Sequence, residues 1–566
     1  MLDSLFVAEV KDPAVQLEAG EPGELVIGIV APVGADSQKV RLAVCEVLTE
    51  FGYETTVHKL SGRFSDPRFV AASGVAVAPG PESERIRSAM DAGDQLRANT
   101  GLKEILGIVA AGSVAEERHR RRAERIQPTL SAEKVPKTES LDSDAPPERS
   151  PAVDEDEAPL ALDRVAHVVH SLKRPEEAIY LSRVYGGRFL LLSIYAPRDE
   201  RLRTLVHRGM SEPDAVALIV RDESGDGSPL PPEKRGFGQA TRDTFHRADM
   251  FVESTRSDSE IRREVRRFFD LIFGCPLVTP RKDEHAMFLA FAASLRSGDL
   301  SRQVGALLAT ENGVVVAEGA NDAPGPFGAP YWPEGDDHRD IAQGADSNER
   351  IKLQMLAKLR EGMSRKASEL RPGESGLDAA TEVKIAEEAK EIVEEMLSGS
   401  EFRQTLKQAG FLDITEFGRA VHAEMAALMS CASRGVPTQG LTLFCTTFPC
   451  HNCTKHLVAA GVQHVVFIEP YPKSRAMELH SDAISLSAEQ GKVRFRPFVG
   501  IGPKRYVELF VLRDIAGGGV ARKGEDGKVV GWSRQGQRPV VSDRMFTYIG
   551  REKRALGLMN ERIPST

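Results

Sequence analysis

The sequence places His422, Ala423 and Glu424 in a row, and 28 positions after His422 it places Cys450, with Cys453 three positions further on. An imidazole and two thiolates are three good ligands for Zn²⁺, and three protein ligands leave the fourth tetrahedral position open for water. Zinc lowers the pKa of such a water toward neutrality, so a nucleophile exists at pH 7. Glu424 stands two residues from the ligand His422, in reach to take a proton from that water and deliver it to a leaving group. A structural zinc site is the competing possibility. It would close with a fourth protein ligand, for which His451, His456 and Cys445 are the nearest candidates, and it would have no use for Glu424. Cys445 and Cys431 read as core residues, and His451, between the two cysteines, reads as shaping the pocket.

These side chains need rigid carriers. The run from His422 to Ser433 has helical periodicity, so His422 and Glu424 sit at a helix start. Leu441 to Cys445 reads as a strand, and the Cys-x-x-Cys piece follows it and opens another helix, where the N-terminal dipole favours thiolates. His464 to Ile468 is a further strand. Val304 to Thr310 and Gly313 to Gly319 read as two strands joined at Glu311-Asn312-Gly313. Glu284 to Ser297 and the charged stretch Ser347 to Ser398 are helical patterns.

In this order and spacing the pieces match the signature H-x-E…P-C-x-x-C of zinc-dependent base deaminases. With Ser301 to Ala306 and Gly319 to Asn321, the chain resembles the deoxycytidylate deaminase branch of the cytidine deaminase-like fold, a five-stranded mixed sheet flanked by helices. The resemblance implies that Asn321 contacts the sugar, that Arg302 contacts phosphate, and that Ala423, Thr446 and Thr447 line the base pocket. A turn residue and a surface salt bridge are the plain alternatives for Asn321 and Arg302. Further phrases are similar to a narrower family: Ser171 to Pro175, Val184 to Gly186, Gly238 to Asp243, Leu295 to Val304, Glu469 to Ser474 and Gly500 to Tyr506. They resemble the bacterial anti-phage dCTP deaminases, in which a P-loop kinase-like domain is fused to a deoxycytidylate deaminase domain. That resemblance implies deamination of dCTP, dCMP or both, homo-oligomers and, in some relatives, restraint by an inhibitory small RNA.

The bulk numbers set limits. A chain of 566 residues is too long for one ordinary core. A net charge of −9 does not suggest a duplex nucleic-acid binder. Six cysteines do not suggest a secreted disulfide scaffold, and no signal peptide or transmembrane run is read, so the expected setting is cytoplasmic, without membrane. Residues 1–22 read as a flexible start. Glu24 to Val30, a small-residue turn and the helical pattern Ser37 to Phe51 open an α/β domain at 23–274, joined by strands at Arg164 to Leu172, Arg188 to Tyr195 and Asp249 to Glu253. Five arginines crowd Glu116 to Arg125, read as a solvated helix end or as a contact for RNA or phosphate. Ser131 to Leu160 holds five prolines and nine acidic residues, so a disordered insert is expected at about 113–160. The second domain is read at 275–515 with a helical insert at about 340–415. A C-terminal extension occupies 516–566, with Gly517 to Pro539 loop-like or a mobile hairpin.

The fold class expected is thus α/β, with an N-terminal P-loop kinase-like parallel-sheet domain and a C-terminal cytidine deaminase-like α/β/α domain. The N-terminal loop departs from the phosphate-binding pattern GxxxxGK[ST]. Gly28, Gly34 and Ser37 are its candidate nucleotide-binding residues, but Ala35 stands at the lysine position and Asp36 at the hydroxyl position. Kinase chemistry is not expected. Arg198, Arg201 and Arg203 resemble a kinase lid or form a solvated helix face. A regulatory or sensing domain, with residual nucleotide binding, is the expected role. Two other functions share the same zinc signature: editing of single-stranded DNA or RNA, and nucleotide binding without catalysis. Editors need a basic channel and exposed aromatics; this chain is acidic, and Tyr331-Trp332 is the obvious aromatic pair. Glu424 argues against a mere binder.

Overall fold

Leu25–Val30 (β1) is an uninterrupted apolar run and is buried along its whole length. Such a strand needs parallel neighbours on both sides, which is the arrangement found. In the computed structural model it pairs with Val165–Leu172 (β3), where Ile27 faces Val168, and with Phe189–Tyr195 (β4), where Ile27 faces Leu190. The structure describes residues 24–564, apart from 131–160, 370–378, 470–473, 513–520, 541–544 and scattered positions between 400 and 415. The start expected to be flexible lies outside the described residues.

Glu54–Lys59 (β2), Met250–Glu253 (β5) and Gly500–Ile501 (β12) complete a six-stranded sheet of order β12-β5-β4-β1-β3-β2. It is parallel except for β12. Helix α1 (Ser37–Glu50) is capped by the Asp36 carboxylate, which accepts from Lys39 N, and buries Val40, Ala43, Val44, Val47 and Leu48, one helical face. Helix α2 spans Ile105–Leu130, α3 Arg198–His207 and α4 Glu212–Ser224. Helix α5 (Asp258–Ile272) starts at a capping box of Ser257 and Glu260 and packs Ile261, Val265, Phe268, Phe269 and Ile272 into the same core as α1.

Two sequence expectations change here. Order does not break near residue 113: α2 runs on to Leu130 and buries Val114, Ala115 and Arg118. Three cations of the arginine-rich run find carboxylates, which supports the helix there. Arg118 is buried between Glu24 and Glu552, while Arg120 and Arg121 pair with Glu117. Residues 131–160 lie outside the described residues. The second change concerns the C-terminus. The chain divides into Met1–Glu284 with Val499–Thr566, and His285–Phe498, rather than at 274/275 and 515/516. Strand β12 and the helix Met545–Arg562 belong with the first sheet's unit. The described part of the glycine-rich segment 517–539 is held there too, with Trp532 against Phe51 and Arg534 on Asp270.

The second unit holds Gly305–Ala309 (β6), Val315–Ala320 (β7), Thr442–Thr447 (β8), His464–Glu469 (β9), Ile484–Ser485 (β10) and Val493–Pro497 (β11). They form a mixed sheet of order β10-β11-β9-β8-β6-β7. The two-residue β10 makes it six strands rather than the expected five. Its helices include α6 (Ala423–Ser433) and α7 (His451–Ala459), and the expected helical insert forms Ser347–Glu369 and Ala379–Ser398. Helix α6 lies hard on β7: a Cβ on Gly319 would stand 2.2 Å from the Ala423 carbonyl oxygen and 2.5 Å from Ala427 N. Only glycine permits that approach. Among the described residues no helix is long and apolar enough to cross a membrane.

Candidate active site

His422 is the N-cap residue of α6, with extended backbone, so its ring leaves the helix while Glu424 sits in the first turn. Val421 is tied to Asp322 by two backbone hydrogen bonds, Val421 N to Asp322 O at 2.9 Å and Asp322 N to Val421 O at 3.3 Å. The end of β7 therefore fixes where His422 begins. Cys450 is the N-cap of α7, delivered by β8, and its sulfur accepts from Cys453 N at 3.4 Å.

The three donor atoms converge. His422 Nδ1 lies 3.4 Å from Cys450 Sγ and 3.3 Å from Cys453 Sγ. Ligands at ordinary Zn–N and Zn–S lengths in a tetrahedron stand about 3.6 Å apart, close to what is found. The three groups are coupled electrostatically. A hydrogen bond from Cys453 and the neighbouring His422 hold the Cys450 thiol down to about 4, and the Cys450 sulfur raises His422 to about 9. Cys453, beside that thiolate and buried, is pushed up. Two sulfurs this close become thiolates together only when a metal ion shares their charge.

Among the described residues this trio is the one group of three such donors within 4.8 Å of one another. Cys445, His451, His456 and Glu424 do not join it, so no fourth described side chain closes the set. Cys445 and Cys431 are wholly buried in the second unit's core. His451 is half-buried, and its Nδ1 is buried without a hydrogen-bond partner. Glu424 is 4% exposed, and burial, the largest influence, pushes its carboxyl up. A buried carboxylate with raised proton affinity can carry protons between water and a substrate.

The other predicted residues form a hydrogen-bonded rim. Asn321 Oδ1 accepts from Val304 N at 2.6 Å, and its Nδ2 donates to Arg302 O at 2.7 Å. Asn321 thus fixes the segment 302–304 whatever else it touches. Arg302 is half exposed and donates to Glu469 Oε1 at 2.6 Å. Thr447 Oγ1 lies 3.5 Å from the other Glu469 oxygen, and Thr446 Oγ1 accepts from Gly305 N at 3.1 Å. Ala423 is fully buried. Sequence reasoning missed three participants. Ser297 Oγ donates to Asn321 O at 2.6 Å, Asp299 caps the amides of Ser301 and Arg302, and Glu469 receives Arg302. The signal lies in Leu295 to Val304, of which only Arg302 carries an expected role, and in Glu469 to Ser474.

In the other unit, Gly28 lies inside β1, six positions before Gly34, and not in the loop. A Cβ there would meet Leu172 and Phe189 side chains at 2.8 Å, so this glycine serves packing. Gly34 is in the loop with φ +85°, and Ser37 opens α1.

Residues 280–469 match the family described as the cytidine and deoxycytidylate deaminase zinc-binding region. The C-terminal region therefore carries a deoxycytidylate deaminase domain. Over 53 residues, 9% of this chain and 28% of the relative, the sequence is 42% identical to the ComE operon protein 2 of Bacillus subtilis (strain 168). It is 33% identical over 55 residues to the deoxycytidylate deaminase of Enterobacteria phage T2, 10% of this chain and 29% of that protein. The match thus spans under a third of these relatives' own length. A solved dCMP deaminase from the cyanophage S-TIM5 covers 39% of this chain at 17% identity, with all of that chain aligned and a TM-score of 0.20.

Proposed function

We propose that the second unit deaminates deoxycytidine nucleotides, dCMP or dCTP, to the uracil nucleotides. The observation that carries this reading is the three-donor set His422, Cys450 and Cys453 beside a buried carboxylate that is not a donor, Glu424. A zinc ion held by His422 Nδ1 and the two sulfurs would supply the Lewis acid that makes water nucleophilic at neutral pH. Glu424 takes a proton from the attacking water, hands it to the ring nitrogen N3, and passes the second to the departing amino group. The C4–O bond forms first, the C4–N bond breaks once the amino group has taken its second proton, and the products are the uracil nucleotide and ammonia. The buried wall at Ala423 and Thr447 keeps bulk water from the base. Asn321 holds the 302–304 segment for the sugar, and Arg302 is the phosphate contact, exchanging Glu469 for substrate.

The resemblance to anti-phage dCTP deaminases supports a role in depleting dC nucleotides during infection, by a homo-oligomer that an inhibitory small RNA can restrain. The first unit, whose sheet is parallel apart from β12 and has a glycine turn after β1, is then a P-loop kinase-like regulatory domain without kinase chemistry. The deciding experiment incubates the full chain with dCMP, dCTP and a cytosine-containing oligonucleotide and follows ammonia and uracil. Uracil in the free nucleotides is expected. Uracil confined to the oligonucleotide would overturn the reading in favour of polynucleotide editing.

A further inference from the structure

The glycine turn of the first unit lacks the usual lysine, yet a lysine reaches it from elsewhere. Lys173 directly follows β3, and its Nζ donates to Ala31 O at 2.7 Å, in the turn after β1. The same Nζ lies 2.7 Å from Asp222 Oδ1, and Asp222 Oδ2 accepts from Val33 N at 2.9 Å. Asp222 is fully buried near the end of α4. Its neighbour Glu223 pairs with Arg201 of α3. Arg201 flanks the turn closely, for a Cβ on Gly34 would meet its carbonyl oxygen at 2.7 Å and its Cβ at 2.9 Å. Two consecutive carboxylates thus neutralise two cations at one turn.

Three more amides and one hydroxyl of the turn are also engaged. The amides of Ala35, Ser37 and Lys39 donate to Pro32 O at 3.1 Å, Ala35 O at 2.9 Å and Asp36 Oδ1 at 3.1 Å. The Ser37 hydroxyl pairs with His170 Nε2 at 2.9 Å. A phosphate-binding turn works by presenting unbonded N–H groups and a cation without an anion. Here a carboxylate of the chain itself occupies both.

We propose that Asp222 is a built-in occupant of the glycine turn: its carboxylate holds the Val33 amide and the Lys173 ammonium that a phosphate group would use, and so keeps the turn closed to polyphosphate nucleotides. This does not depend on the deaminase assignment. It makes the first unit a closed relative of a nucleotide-binding domain, one in which the lysine comes from the end of β3 and is already paired.

The test is calorimetric titration of the zinc-loaded full chain with ATP and with inorganic triphosphate. Wild type is expected to show no saturable binding at millimolar ligand. Asp222→Ala frees the amide and the ammonium and should gain binding by at least about tenfold, the worth of one charge-assisted hydrogen bond. Adding Lys173→Met to Asp222→Ala should abolish the gain. Saturable triphosphate binding by wild type that is as tight as that of Asp222→Ala would overturn the proposal. If Asp222→Ala does not fold, the wild-type titration decides together with Asp222→Asn, which weakens the hold on Lys173 while filling the same space. Tighter binding by Asp222→Asn supports the occupant, and micromolar binding by wild type sinks it.

Discussion

The chemistry of the candidate site rests on a division of labour between side chains two residues apart. His422 donates its Nδ1 to the metal set, while Glu424 stays outside it. Glu424→Gln is therefore expected to lower ammonia release by on the order of 10² to 10⁴, with zinc content unchanged by metal analysis. Loss of zinc along with activity would show that Glu424 is a ligand. Cys450→Ala should behave differently: it removes a donor and the sulfur that accepts from Cys453 N, so zinc content and thermal stability should fall together. These four residues were legible in the sequence because metal chemistry dictates residue type and local spacing. The rim was less legible. That Arg302 meets Glu469 and Asn321 holds the Arg302 carbonyl depends on segments far apart in sequence, which no local pattern reveals.

At the scale of elements, α6 carries both His422 and Glu424, and its place is set by Gly319 of β7. Gly319→Val would press a side chain into the helix backbone. Overpacking of this kind costs about 1–3 kcal/mol, and the shift of α6 should weaken zinc binding as well. Thermal melts and zinc competition measure the two effects, and a variant with wild-type zinc affinity would show that β7 does not position the site. The apolar runs of β1, β3 and β4 announced themselves because buried parallel strands are continuously hydrophobic. Strand β2 did not, since Glu54–Lys59 is an edge with a largely accessible face. Strand β12 has two residues, too few for any periodicity.

At the scale of the first unit, one buried charge cluster joins distant parts of the chain. Arg118 of α2 reaches Glu24 and Glu552, and Tyr548 donates to Glu24 at 2.7 Å. Glu24, with donors from Arg118, His167 and Tyr548, is lowered to about 2 despite its burial, whereas Glu552 is pushed up by burial. Arg118→Met leaves both carboxylates buried without their cation and should destabilise the unit by about 3–5 kcal/mol, read from urea unfolding. Histidines set the acid limit of the same unit. Burial holds His170 down to about 4 and, with His167 next, His58 down to about 3. Unfolded histidine titrates near 6.5, so below that pH the unfolded chain binds protons that the folded chain refuses. Stability is full above about pH 6.5 and is lost as pH falls toward 4 and 3; the Glu24 contribution follows below about pH 4.3. Urea midpoints measured from pH 7 to 4 should decline, and His58→Gln should flatten that slope; an unchanged slope would clear His58.

The sequence by itself determined the candidate donors His422, Cys450 and Cys453, the carboxyl of Glu424 beside them and the α/β character of both units, because each is a matter of residue type at short spacing. Tertiary structure alone decided the rest. It extended α2 through the arginine-rich run, returned residues 499–566 to the first unit, and brought Lys173 and Asp222 onto the glycine turn. Those outcomes rest on pairings between residues as far apart as Arg118 and Glu552, where burial makes an ion pair obligatory and only the folded chain supplies the partner.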